Sequence, residues 1–186
     1  MGDIKGLVIQ TRLDFLENTD NVNLMNDVMQ KLEDPARSAV GEQVFITNLY
    51  PFHLLKDLDT AIGESMQVSL ESIFRDIGKR SASLILDRYF YNYVQVKHPH
   101  GFLAHFVRLY PFLWNFGTCS YAKSEEGDAI IHLNYDEDIH KPYCWFVQTL
   151  LKTGVEICGG KEVNLREIEC EAEGGESCIY KLSWKE

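Results

Sequence analysis

A chain of 186 residues, 45% of them hydrophobic, can bury one sizeable core and falls within the size of a single domain, residues 1–186. With 28 acidic against 18 scattered basic side chains the formal charge is -10, which repels phosphate backbones and anionic lipid, so nucleic acid and membrane surfaces are poor partners. No apolar run approaches the ~20 residues of a membrane helix and the start lacks the layout of a secretory signal, which points to the cytoplasm. In a reducing compartment the five cysteines fit metal ligation or apolar burial better than disulfides.

Gly6-Leu7-Val8-Ile9-Gln10 reads as a short strand or extended start leading into a helix. Asp20-Asn21 offers an N-cap for a helix carrying Val22, Leu24, Met25, Val28, Met29 and Leu32 at spacings of three and four, ended by Pro35. Pro51 suits the first turn of a second helix through Leu54, Leu55, Leu58 and Ile62. Glu64 to Phe90 keeps a helical period without proline, and Gly78 inside it implies close helix packing or a local break. Lys97-His98-Pro99-His100-Gly101 breaks the chain, and a helical pattern returns from Phe102 toward Trp114, as far as Pro111.

Beyond residue 116 the pattern changes. Thr118–Lys123 and Ala129–Asn134 flank a polar turn and read as a hairpin; Ile139–Ile157 is helical and stops at Gly159-Gly160; Val163–Glu169 and Cys178–Trp184 form a second hairpin. The fold class is α+β: a helical part, 1–116, packed on a sheet-containing part, 117–186, of about four antiparallel strands with one inserted helix.

Cys170 and Cys178 bracket a glycine-containing turn, Glu167 stands one step back along the strand, and Cys144 lies in the preceding helix. Thiolates and a carboxylate suit a tetrahedral zinc ion, provided the strand bulges near Cys170, since Glu167 and Cys170 otherwise point to opposite faces. The plainer reading makes the cysteines small buried residues, although Cys170 sits among Glu169, Glu171, Glu173 and Glu176. Cys119 and Cys158 have no such company and read as ordinary.

The pattern Glu-x-x-Cys-x-x-x-Gly-x-x-x-Cys-x-Tyr, met by Glu167, Cys170, Gly174, Cys178 and Tyr180, resembles the end of the 4-vinyl reductase domain, which also forms the sensory module of aromatic-sensing bacterial transcription activators. The resemblance implies structural zinc on Cys144, Glu167, Cys170 and Cys178. The wider superfamily takes in H-NOX haem domains and Bet-type subunits of TRAPP tethering complexes, and it implies an apolar ligand pocket between helices and sheet.

The aromatics Tyr89, Phe90, Tyr93, Phe102, Phe106, Tyr110, Phe112, Trp114 and Phe116 are core material or the wall of such a pocket. His98, His100 and His105 beside them are the candidate haem ligands, while the Tyr-x-Ser-x-Arg signature of H-NOX domains is missing. Asp136–His140 reads as an acidic helix start rather than a calcium loop. No nucleophile elbow, phosphate loop, dinucleotide fingerprint or His-Glu-x-x-His pair occurs, which argues against an enzyme. The reading is a stand-alone cytoplasmic sensory domain with structural zinc, an apolar or aromatic ligand and a protein signalling partner. A haem-dependent NO/O2 sensor, an accessory of tetrapyrrole (vinyl reductase) metabolism, an assembly subunit and a homodimer remain open.

Overall fold

Strand pairing begins at the N-terminus, where Asp3–Lys5 (β1) runs antiparallel to Leu49–Pro51 (β2), a pair too short to leave a periodic signal. The computed structural model describes residues 2–89, 91 and 97–185, without the side chains of 87–89 and 125.

Gly6–Gln10 is not a strand. Helix α1 (Gly6–Glu17) begins at Gly6 and buries Leu7, Val8, Ile9, Leu13, Phe15 and Leu16. A continuous apolar run is ambiguous by period, and here its continuation to residue 17 decides for helix. Helix α2 (Leu24–Lys31) starts later than expected and leaves Val22 88% exposed. Pro35 stands just before a further helix, α3 (Ala36–Gly41). Helix α4 (Phe52–Ser65) follows Pro51 as the sequence predicts.

The long helix is shorter than its period suggested. Residues 66–69 are non-helical, and α5 spans Leu70–Tyr89. Gly78 marks close packing rather than a break: a Cβ there would lie 2.6 Å from the carbonyl oxygen of Phe146, on helix α7 (Lys141–Ile157). Helix α6 (Pro99–Leu113) starts before Phe102, its end held by His98 Nδ1, which accepts from the Gly101 N–H at 2.6 Å. It runs through Pro111, near its C-terminal end.

The main sheet has four antiparallel strands in the order β3 (Thr118–Glu125), β4 (Asp128–Asn134), β6 (Cys178–Lys185), β5 (Lys161–Glu169). Its central strands alternate, burying Ala129, Ile131 and Leu133 on β4 and Cys178, Tyr180, Leu182 and Trp184 on β6. Helix α7 leaves β4, packs against β5 and α5, and returns the chain to the far edge. The buried residues form one cluster from Ile4 to Trp184 across helices and sheet.

Candidate functional site

Cys178 opens β6, Cys170 follows the end of β5, and Cys144 lies in the first turn of α7. All three are buried, and their Sγ atoms lie within 4.8 Å of one another, with Cys144 and Cys170 3.6 Å apart. The bulge that this convergence needs is present as a register shift between Glu167 and Glu169 on β5. The backbone N–H of Glu171 donates to Cys178 Sγ at 3.4 Å. A hydrogen bond from Cys144 pulls the Cys178 thiol down to about 7 against the effect of burial. Burial and the Cys178 charge push Cys170 up to about 11, and Cys178 with burial drives Cys144 higher still. The trio therefore forms its first thiolate at Cys178, the state a thiophilic cation recruits.

Glu167 stands beside the trio without joining it. Its carboxylate groups with Cys170 and Glu173, while Lys141 Nζ donates to Oε2 and Gln148 Nε2 to Oε1, each at 2.8 Å. Lys141 also pairs with Glu173 at 2.8 Å, and Gln148 Oε1 accepts from Arg75 at 3.1 Å. Burial lowers the Lys141 pKa, but the two carboxylates outweigh it and the net shift is upward. Lys141, Cys144 and Gln148 recur at three and four residues, so a helical reading of 141–157 contained the signal for both partners of Glu167.

The acidic run around Cys170 braces the turn. Glu169 Oε1 accepts from the N–H groups of Glu176 and Ser177 at 2.6 and 3.1 Å, and Glu171 Oε1 from that of Tyr135 at 2.8 Å. Cys119 and Cys158 lie apart, each pushed up to about 12 by burial.

Of the aromatic band, Phe102, Phe106, Tyr110, Trp114 and Phe116 are buried. Phe102–Phe106, Phe106–Trp114 and Tyr110–Trp114 ring centroids lie 6.4, 6.1 and 4.9 Å apart. Phe112 must be taken out of this wall. It is 59% exposed on the outer side of α6 and lies near the Lys5 ammonium, because the buried face recurs at 102, 103, 106, 110 and 113. Phe90 and Tyr93 fall outside the described residues, as does the side chain of Tyr89. Phe52, Tyr135 and Tyr143, which the sequence did not single out, extend the buried aromatics, as does Tyr180 of the closing pattern. The Tyr110 hydroxyl and Trp114 Nε1 are buried with no hydrogen-bond partner among the described residues, whereas the Tyr135 and Tyr143 hydroxyls face each other and that of Tyr180 faces the Cys178 thiol.

His98 caps α6 and is exposed. His100 is half-buried, its Nδ1 2.7 Å from the Tyr121 hydroxyl and its ring 4.7 Å from that of Trp184, and His105 is half-buried on α6. In the acidic stretch before α7, Asp138 takes the Lys56 ammonium at 2.5 Å.

A buried ionic cluster also went unseen in the sequence. Arg12 on α1 reaches Asp59 on α4 through Nε–Oδ1 at 3.0 Å and Nη2–Oδ2 at 3.2 Å, with both side chains fully buried. His140 Nε2 lies 2.9 Å from Asp59 Oδ2, and the guanidinium lies 4.1 Å from the Phe146 ring centre. The cluster ties the first helices to the start of α7, two turns or less from Cys144.

No family model matches the chain and no curated protein matches it. Solved structures do. An Fe(II) unliganded H-NOX protein from K. algicida is 15% identical, with 98% of this chain and 97% of that one covered at a TM-score of 0.74. An H-NOX protein from S. oneidensis in the Fe(II)NO ligation state is 9% identical, with 98% and 100% covered at 0.76. A structure described as modulating heme redox potential through porphyrin distortion is 12% identical, with 97% and 100% covered at 0.71. The fold is that of the H-NOX proteins. At these identities the likeness concerns architecture, and the 4-vinyl reductase domain stays a resemblance carried by Glu167 to Tyr180. Among the described residues no helix is long and apolar enough to cross a membrane.

Proposed function

We propose that this chain is a one-domain small-molecule sensor that passes a ligand-dependent change of shape to a protein partner. The observation that carries the reading is the near-full-length likeness to H-NOX structures, which covers 97–98% of the chain in the three described above. The helix–sheet interface is where the ligand belongs, because the buried Tyr110 hydroxyl and Trp114 Nε1 stand there without a hydrogen-bond partner among the described residues.

Between the cofactors, the comparisons favour haem over zinc, since the matching proteins are described by their iron or heme. The described side chains do not complete a haem site. The interior face of α6 carries Phe102, Leu103, Phe106, Tyr110 and Leu113, with His105 only on its half-buried flank, and the Tyr-x-Ser-x-Arg signature is missing. Native mass spectrometry of the purified chain, with a visible spectrum after incubation with hemin, tests the reading. A bound mass above that of the chain supports a sensor. A Soret band that moves with NO and is lost in His105→Ala or His100→Ala assigns the ligand to haem. A bare chain mass together with a featureless spectrum would overturn the sensor.

The thiol cluster supports a second assignment at a separate place, a metal site with zinc as the expected ion. Elemental analysis of protein purified without added metal is expected to find about one zinc per chain, and Cys170→Ser to lose it. Zinc-free wild-type protein, or a variant that keeps its zinc and its stability, would defeat the assignment.

A further inference from the structure

We propose that the groove between the start of α6, the end of α7, the start of β5 and the end of β6 is a second binding site, separate from the helix–sheet interior. Its ligand is a small organic carboxylate with an apolar body. Lys97 and Lys161 take the carboxylate, and the body lies on Pro99, Ile157 and the edge of Trp184.

The cavity itself is the first observation. Its volume is about 640 Å³, and those five residues line it together with Glu156 and the Gly159-Gly160 pair. That is the size of a small-molecule site, and none of these residues belongs to the thiol cluster or to the aromatic wall on α6. Its floor is held in place. Trp184 is 8% exposed, the His100 ring packs 4.7 Å from it, and the Tyr121 hydroxyl lies 2.7 Å from His100 Nδ1. A Cβ on Gly160 would stand 3.2 Å from Trp184 Cγ and 2.8 Å from Val155 Cγ1, so the missing side chain at 160 is what lets the indole pack there. A ring already fixed offers contact area at little further cost in entropy.

Charge selects the sign of the ligand. Lys161 stands directly opposite Lys185 in the register of β5 and β6, a like-charge pairing that works against stability. The carboxylates nearby are matched by other lysines, Glu156 by Lys152 at 4.0 Å and Glu162 by Lys185 at 2.5 Å. Lys97, Lys152, Lys161 and Lys185 against Glu156 and Glu162 make a local excess of positive charge, in a chain whose formal charge is -10. The start of α6 and the end of α7 bring opposite dipole ends to the groove, so the lysines decide its sign.

Backbone strain falls on the same rims. Among the described residues, Lys97 and Glu162 are the two non-glycine positions with positive φ, each at 50°. That conformation is unfavourable for any residue with a Cβ. Lys97 leans on Gly159, where a Cβ would lie 2.9 Å from its own, and Glu162 sits in the register shift that follows Lys161. Each outlier is at or beside a lysine of the groove, and such outliers gather where a ligand is clamped.

Benzoate is the probe, with benzyl alcohol and benzylamine as its neutral and cationic counterparts. Each is titrated into the full-length chain and followed by proton–nitrogen NMR, and circular dichroism checks that every variant folds. Benzoate is expected to move the Trp184 indole signal and the Gly159 and Gly160 amides saturably, and the other two compounds to bind there at least about threefold more weakly. Lys97→Gly places at φ 50° a residue that adopts it freely, so the fold is kept while benzoate affinity falls by about three- to tenfold. Lys161→Gln should weaken benzoate by a similar factor. Shifts confined to the Trp114 indole and its neighbours would assign benzoate to the interior and overturn the groove. Equal binding of the three compounds, no saturable shift at Trp184, or unchanged affinity in either lysine variant would overturn it as well.

Discussion

Asp59→Ala is expected to be among the most damaging single substitutions in this chain. The wild-type carboxylate is fully buried, accepts two bonds from Arg12 at 3.0 and 3.2 Å, and faces His140 at 2.9 Å. Removing it leaves a guanidinium buried beneath α4 without a counter-charge, which costs about 3–5 kcal/mol. Against a total stability of about 5–15 kcal/mol this is a large share. With a urea m-value of about 2 kcal/mol/M the midpoint falls by about 2 M. Urea titration followed by tryptophan fluorescence measures it. The double variant Arg12→Met/Asp59→Leu removes both charges and should recover most of the loss, because a matched apolar pair replaces an ion pair at little cost. The pH dependence has a definite sign. Burial pushes the Asp59 carboxyl up, but Arg12 and His140 together outweigh it and the net shift is downward from 3.8. Its contribution is complete above the unfolded value of about 3.9 and is lost as pH falls through the lower folded value. The deficit of Asp59→Ala should therefore persist at about pH 5 and close only in stronger acid. A deficit below about 1 kcal/mol, or a double variant as unstable as the single one, would refute this account of the cluster.

Gly78→Ala tests the contact between α5 and α7. A Cβ would sit 2.6 Å from the Phe146 carbonyl oxygen and 3.0 Å from Thr149 Cβ, so the gain in helix propensity of about 1 kcal/mol should be outweighed by overpacking of about 1–3 kcal/mol, with a lower Tm by circular dichroism. A raised Tm would show that the helices are not in close contact there. In metal-free, reduced protein one thiolate should appear in the ultraviolet as pH passes about 7, and Cys178→Ser should remove it; an unchanged curve in that variant would contradict the order of ionisation in the trio.

Helices α4 and α7, the β3–β4 and β5–β6 hairpins and the convergence of three cysteines were legible because each rests on local order. Pro51 sets a helix start, Gly159-Gly160 a helix stop, and the central strands alternate with period two. Errors gathered where the local signal is degenerate. The Gly6–Gln10 run is buried almost all round, so its period could not separate strand from helix. Residues 66–69 interrupt a run that kept its apolar spacing, and Val68, counted in that spacing, is 56% exposed.

What the sequence by itself determined is the set of faces: which helices are amphipathic, which strands alternate, and that Cys144, Cys170 and Cys178 could meet once a helix covers a hairpin. Tertiary structure alone decided what those faces touch. Asp59 on α4 carries no mark distinguishing it from its exposed neighbour Asp57, yet one is fully buried against Arg12 47 positions away and the other faces outward. Spacing put Glu167 near the thiols, and the packing of α7 over β5 adds what spacing could not show, Lys141 and Gln148 on its two oxygens. Periodicity records the angle at which a side chain leaves its element, whereas partners are fixed by how elements pack, and that information is spread over the whole core.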